Sequence, residues 1–155
     1  MDAESEVRAV IDRLDHANLQ MMDGDCTPWL ELLSRRADVA ALGAYGGHVV
    51  GWDEVSARFA RTAAGYGEGG AGGTTSRENI ATWIGADVAC VVDIEHHRTT
   101  LEEGAEPATF RYRTTHVLRR EQDGWRVVLR HADPLVDFRG PGFAHVDAQS
   151  SAERT

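Results

Sequence analysis

Seven histidines and 25 acidic residues supply most of the groups in this chain able to move a proton near neutral pH. One His–carboxylate pair stands out by spacing. His131 and Asp133 lie two residues apart in a strand-like run, and residues i and i+2 of a strand share a face. On that alternation Trp125, Val127, Leu129, His131 and Asp133 take one side, and Arg126, Val128 and Arg130 the other. The apolar members should face a core and carry His131 and Asp133 inward. In the preceding run Phe110, Tyr112, Thr114, His116 and Leu118 share a face, so His116 is also expected inside. A histidine titrates near neutrality, and a carboxylate beside it fixes its tautomer and favours its cation. His131, Asp133 and His116 are therefore the candidate catalytic residues, for deprotonating a carbon acid or protonating a leaving oxygen. The competing reading makes His131 a structural hydrogen-bonding group.

Other chemistries are disfavoured. All 16 basic residues are arginine, which excludes lysine Schiff bases and a P-loop lysine. No metal site is expected, because no compact His/Cys spacing is present and His96 and His97, as strand neighbours, point to opposite faces. The proposed chemistry calls for no cofactor. Cys26 and Cys90 belong to no CxxC pair and read as reduced thiols. A net charge of -9 argues against nucleic acid and anionic membranes as partners. No apolar run is long enough to cross a membrane, and the acidic start Met1-Asp2-Ala3-Glu4 does not read as a signal peptide. A cytoplasmic location is expected. Arginine without lysine, with abundant Ala and Gly, suggests a GC-rich bacterial source.

The elements that must position these residues follow from periodicity. Val7, Val10, Ile11, Leu14, Asn18 and Met21 recur at helical spacing, with Asp2 or Ser5 as cap and Gly24 as stop. Asn18 lies on the apolar stripe, so it either bonds backbone or faces a cavity; His16 is on the opposite, exposed side. A second helix has Thr27 as N-cap and Pro28 in its first turn. Short strands are expected before and after Gly46-Gly47, and a third helix over 52–64. The glycine-rich loop 65–73 contains Gly65-x-Gly67-x-x-Gly70. It lacks the strand before and helix after that a dinucleotide site needs, and reads as a loop over a site. Strands follow over 79–84, 88–100, 109–121 and 125–138, the last two joined by Gln122-Asp123-Gly124. Residues 1–139 form one domain and 140–155 a flexible tail. Helices followed by long antiparallel strands give an α+β class.

Three segments carry a family resemblance. They run from Ala37-Asp38-Val39 to Gly51-Trp52-Asp53-Glu54-Val55, over Gly85-Ala86-Asp87-Val88-Ala89-Cys90, and from Thr115-His116-Val117-Leu118-Arg119-Arg120 to Trp125-Arg126-Val127-Val128-Leu129-Arg130-His131-Ala132-Asp133-Pro134. In order and spacing they resemble the nuclear transport factor 2-like (NTF2-like) superfamily, in its SnoaL-like branch, over about residues 5 to 138. The last segment is also similar to the association domain of calcium/calmodulin-dependent kinase II. The resemblance implies a cone: three N-terminal helices packed in a strongly curved, mostly antiparallel sheet around a deep pocket. It also implies a homodimer through the convex sheet face.

It further implies that His116 and His131 line the pocket and that Glu95 faces it. Plain hydrophobicity would instead bury Val92 and Ile94 and expose Asp93, Glu95 and His97. Asn18, Tyr45, Trp52 and Glu95 are candidate ligand contacts, with Tyr45, His48 and Trp52 near the mouth, although Trp52 also suits the core. SnoaL-like cyclases and related isomerases run proton transfer without a cofactor. The resemblance thus implies a cyclase, isomerase or dehydratase acting on a small, partly apolar organic ligand. The alternative is a non-catalytic ligand-binding or assembly domain. The general-base Asp of ketosteroid isomerases would fall at Gly43 or Ala44, where no carboxylate stands. The Asp-Arg-Asp set of limonene epoxide hydrolases is not recognisable either. Arg111, Arg113, Arg119, Arg126 and Arg130 are expected mostly on the outer face, pairing with a partner's carboxylates.

Overall fold

The computed structural model describes residues 2–44, 46–66, 73–100 and 106–136. Tyr45, most of the glycine-rich loop and the segment 140–155 lie outside them. Helix α1 spans Ala3–Met22; the Asp2 side chain accepts the backbone N–H of Ser5 and caps it. Helix α2 is Thr27–Leu32. Thr27 is already helical, and Asp25 accepts its N–H instead. Strands β1 (Ala40–Gly43) and β2 (His48–Val50) form a hairpin, and helix α3 is Trp52–Tyr66. Four long strands complete the fold: β3 (Gly73–Ile84), β4 (Val88–Thr99), β5 (Ala108–Glu121) and β6 (Gly124–Pro134). β3 begins before the expected residue 79, because its polar N-terminal half is held by pairing with β4 rather than by its own hydrophobicity.

The sheet order is β2-β1-β6-β5-β4-β3. All neighbours are antiparallel except β1 and β6, which run parallel. The helices cover one face, as an α+β cone requires. Val7, Leu14 and Ala17 of α1, Trp29 and Leu32 of α2, and Val55, Phe59 and Ala63 of α3 meet Ala89, Val91, Leu118, Trp125 and Val127 from the sheet. Removing that apolar surface from water is the main stabilising term.

The inner face of the sheet changes character along its strands. Near the β5–β6 turn it is apolar. Further along it carries Thr75 and Arg77 from β3, Asp93, Glu95 and His97 from β4, Tyr112, Thr114 and His116 from β5, and Arg130 and Ala132 from β6. Of the two alternatives for β4, the structure buries the polar set: Asp93 and Glu95 are 1% and 0% exposed, and Cys90, Val92 and Ile94 lie half-buried on the other side.

A β-bulge in β6 reverses the expected alternation. Val117 of β5 pairs with Leu129 and Leu118 pairs with Val127, so Val128 is the extra residue. An unpaired residue shifts every later side chain to the opposite face. Trp125 and Val127 point inward as expected. Beyond the bulge Arg130 and Ala132 point inward, and Leu129, His131 and Asp133 point outward. The edge partner of β6 changes at the same place. Leu33 bridges Val127, and Ser34 donates its N–H to the Val127 carbonyl; from Leu129 onward the partner is β1.

Gly43 ends β1 where only glycine fits. Its φ is +77°, and a Cβ there would lie 1.8 Å from the Ala132 carbonyl oxygen.

Candidate active site

Between the three helices and the polar half of the sheet lies a cavity leaving about 90 Å³ for the centres of water-sized molecules. Met21, Met22, Trp29 and Phe59 give it apolar walls; Asn18, Arg58, Thr62, Tyr66, His97, Tyr112 and Arg130 supply polar groups. Among the described residues no lining side chain is a carboxylate, although the chain is acidic overall.

Directly behind the lining sits Glu95. Its carboxylate receives a two-pronged contact from Arg130, Nη1 to Oε1 at 3.0 Å and Nη2 to Oε2 at 2.8 Å. His97 Nε2 lies 3.1 Å from Oε2. Burial alone would raise the Glu95 pKa. The Arg130 charge and the hydrogen bonds from His97 and Arg130 outweigh it and hold the carboxyl well below its ordinary 4.5. Glu95 is therefore ionised and accepts only, so His97 Nε2 carries a hydrogen. The other ring nitrogen, Nδ1, is 3.1 Å from Thr75 Oγ1. In neutral His97 it is the acceptor of the Thr75 hydroxyl and the basic atom of the ring.

His116 is inward, as expected, but serves Arg130 rather than the cavity. It is fully buried, and its Nε2 accepts from Arg130 Nη1 at 2.7 Å. Burial and the Arg130 charge push its pKa from 6.5 down to about 3, so it is a neutral imidazole. The Arg130 guanidinium also lies over the Trp29 ring, 5.0 Å from its centroid. A second charged layer adjoins Glu95. Arg77 contacts Asp15 at 3.2 Å and Asp93 at 3.7 Å, and Asn79 donates to Asp93 at 2.8 Å. Burial raises the pKa of both Asp15 and Asp93.

The sequence-predicted residues divide. Asn18 lines the cavity, and its Oδ1 accepts from Trp29 Nε1 at 3.1 Å. Glu95 faces the cavity side and is reached through Arg130 and His97. His131 and Asp133 do pair, Nε2 to Oδ2 at 3.0 Å, but on the outer face, with side chains 45% and 49% exposed. This corrects their expected inward position, and the bulge at Val128 is the cause. Trp52 does not line the cavity; it is half-buried against the core with Arg35 5.1 Å over its ring. His48 is exposed. Tyr45 lies outside the described residues. The outer-face role expected of the arginines also changes. Arg130 turns inward, Arg119 pairs with Asp38 and Glu121, and Arg126 with Asp123, all within the chain.

Sequence reasoning left Arg130 and Arg58 out of the site. One signal for Arg130 was available: Val127-Val128-Leu129 is three consecutive apolar residues, which strict alternation does not produce. Arg58 is placed by the β1–β2 turn, where its Nη2 donates to the carbonyls of Gly43 and Gly46. Among the described residues no group of three His, Cys, Asp or Glu side chains is arranged to hold a metal. No helix there is long and apolar enough to cross a membrane.

Comparison with known proteins agrees with this architecture. Residues 7–136 match the family model of the SnoaL-like domain. No curated protein matches the chain. Among solved structures, a candidate calcium/calmodulin-dependent protein kinase type II association domain from Thiobacillus denitrificans is 24% identical. The alignment covers 83% of this chain and 94% of that one, with a TM-score of 0.66. A candidate dehydratase of the NTF2-like family from Streptomyces avermitilis is 18% identical, covering 87% and 97%, with a TM-score of 0.72. An NTF2-like superfamily protein from Salmonella enterica is 16% identical, covering 91% and 97%, with a TM-score of 0.74. At these identities the structural likenesses establish the fold alone.

Proposed function

Because the chain belongs to the SnoaL-like family of the NTF2-like superfamily, we propose that its cavity is a small-molecule site performing acid/base chemistry through His97. The observation that carries this reading is the His97–Glu95 pair, with His97 on the cavity wall and Glu95 buried behind it against Arg130. His97 Nδ1 takes a proton from a carbon acid, or returns one to a leaving oxygen. Glu95 holds the Nε2–H and stabilises the imidazolium that forms, as a carboxylate behind a catalytic histidine does. Arg130 keeps Glu95 ionised and so is a positioning residue. The reaction classes are isomerisation, cyclisation or dehydration of a small, partly apolar molecule. His131 and Asp133, on the outer face, have no part in this reading; His116 acts only through Arg130.

Exchange of the α-hydrogens of cyclohexanone in D2O, followed by proton NMR, tests the reading without a known substrate. Acceleration over buffer is expected from the wild type and its loss in His97→Asn, with His131→Ala unchanged. A wild type no faster than buffer, or a His97→Asn protein as fast as wild type, would sink it. One observation favours a non-catalytic ligand-binding domain instead: both His97 nitrogens already have partners within the protein, Thr75 and Glu95. Ligand binding that persists in His97→Asn with no exchange at any stage would select that second reading.

We further propose that the outer sheet face joins two copies of the chain. Val92 and Ile94 of β4, Val117 of β5 and Leu129 of β6 are half-buried there, on the side the helices do not cover. Light scattering should give twice the chain mass of 17.0 kDa, and Ile94→Arg should restore the single mass. A wild type of single mass refutes the arrangement.

A further inference from the structure

We propose that Asn18 is the residue that recognises the ligand, and that the oxygen it recognises is a hydrogen-bond acceptor, the carbonyl of a small ketone or related compound. The Trp29 indole has one polar hydrogen and no acceptor. Its Nε1 lies 3.1 Å from Asn18 Oδ1. An indole N–H can only donate, so the oxygen end of the Asn18 amide must face Trp29. The amide orientation is thereby fixed chemically, and the other end is the NH2 group. That nitrogen is buried and has no hydrogen-bond partner among the described residues. Asn18 as a whole is 6% exposed and lines the cavity.

A buried donor without an acceptor is costly, and its cost is recovered when a ligand supplies the acceptor. Asn18 can offer a ligand nothing but N–H, which selects against ligand groups that only donate. The surroundings agree in sign. Arg58 and Arg130 line the same cavity, and among the described residues no aspartate or glutamate does. Arg130 is neutralised by Glu95 and Arg58 donates to the Gly43 and Gly46 carbonyls; the Asn18 amide is itself neutral and fits an uncharged carbonyl oxygen. Met21, Met22 and Phe59 receive the hydrocarbon part. His116 Nδ1 is also buried without a partner among the described residues, but His116 does not line the cavity and carries no such role.

This inference rests on reading the cavity as a ligand site, not on any chemistry performed there. Two probes of nearly equal shape test it: cyclohexanone, and methylenecyclohexane, in which CH2 replaces the oxygen. The indole resonance of Trp29, whose N–H is bonded to Asn18, reports binding by 15N–1H NMR. Wild type should bind the ketone at least about tenfold more tightly than the alkene, the range for one buried hydrogen bond. Asn18→Asp keeps the oxygen that accepts from Trp29 but replaces the donor with a second acceptor. Asn18→Leu removes both, and serves if the aspartate variant does not fold. The preference should disappear in each folded variant. Equal affinity for the two probes in wild type, including no shift with either, overturns the inference, as does a ketone preference retained in Asn18→Asp. The outcomes separate from those of the acid/base test. A ketone preference that depends on Asn18, with no hydrogen exchange, keeps this inference and ends the catalytic one. Exchange without a ketone preference does the reverse.

Discussion

Two His–carboxylate pairs lie on opposite faces of the same sheet, and one of them borders the cavity. On the inner face, His97 and Glu95 are 3.1 Å apart, with Glu95 fully buried and locked to Arg130. On the outer face, His131 and Asp133 are 3.0 Å apart and each about half exposed. The contact distances barely differ. The surroundings do. Water screens the outer pair, so its attraction is weak. The inner pair sits in a low-dielectric interior, where Glu95 depends on Arg130 to remain charged.

The contrast can be broken most severely at Arg130. Arg130→Met leaves Glu95 buried without its cation, and is expected to cost about 3–5 kcal/mol in urea unfolding. A loss below about 1 kcal/mol would mean that the inner network is as loosely coupled as the outer one.

The second test uses pH. His116 has a folded-state pKa depressed from 6.5 to about 3. A depressed pKa contributes stability that is present above 6.5 and is lost as pH falls toward 3. Glu95, also depressed, loses its contribution in the same direction below its ordinary 4.5. The unfolding free energy should therefore fall between pH 6.5 and 3, with His116 alone contributing a slope of at most about 1.4 kcal/mol per pH unit. His116→Gln should flatten that slope. An unchanged slope in His116→Gln would remove His116 from the acid response.

Gly43→Ala probes the β1–β6 contact that forms one wall of the cavity. The clash with the Ala132 carbonyl and the positive φ predict a loss of about 1–3 kcal/mol by thermal unfolding. The smallest effect is expected on the outer face, where His131→Ala should change stability by about 0–1 kcal/mol. A larger loss there would show that the outer pair is buried in an assembly, and would support the proposed dimer.

Much of the frame was legible in the sequence. Helix α1 follows from the spacing of Val7, Val10, Leu14 and Met21. The inward set on β5, from Phe110 to Leu118, follows from unbroken alternation. β4 was ambiguous because hydrophobicity would bury its apolar face and leave its acids in water, whereas the resemblance turned Glu95 inward; the partners of those acids, Arg77 and Arg130, come from β3 and β6. Hydrophobicity cannot foresee that a carboxylate is buried when its cation is supplied from a different strand. Trp52 has the right type for a ligand contact, yet its ring lies under Arg35, a packing choice made by the α2–β1 connection. Asn18 was identifiable as a polar break in an apolar stripe, but the orientation of its amide required Trp29.

The sequence by itself determined most of the elements and the α+β class, because periodicity and turn chemistry are local properties of the chain; the family followed from the resemblance carried by three of its segments. It also determined that the basic charge is all arginine, which suits a buried, two-pronged contact to a carboxylate. Tertiary structure decided which histidine meets the cavity. Alternation fixes relative facing along a strand only while the ladder is unbroken. β6 changes its edge partner from Leu33 to β1 next to Val128, and the bulge there turns Arg130 inward and His131 outward.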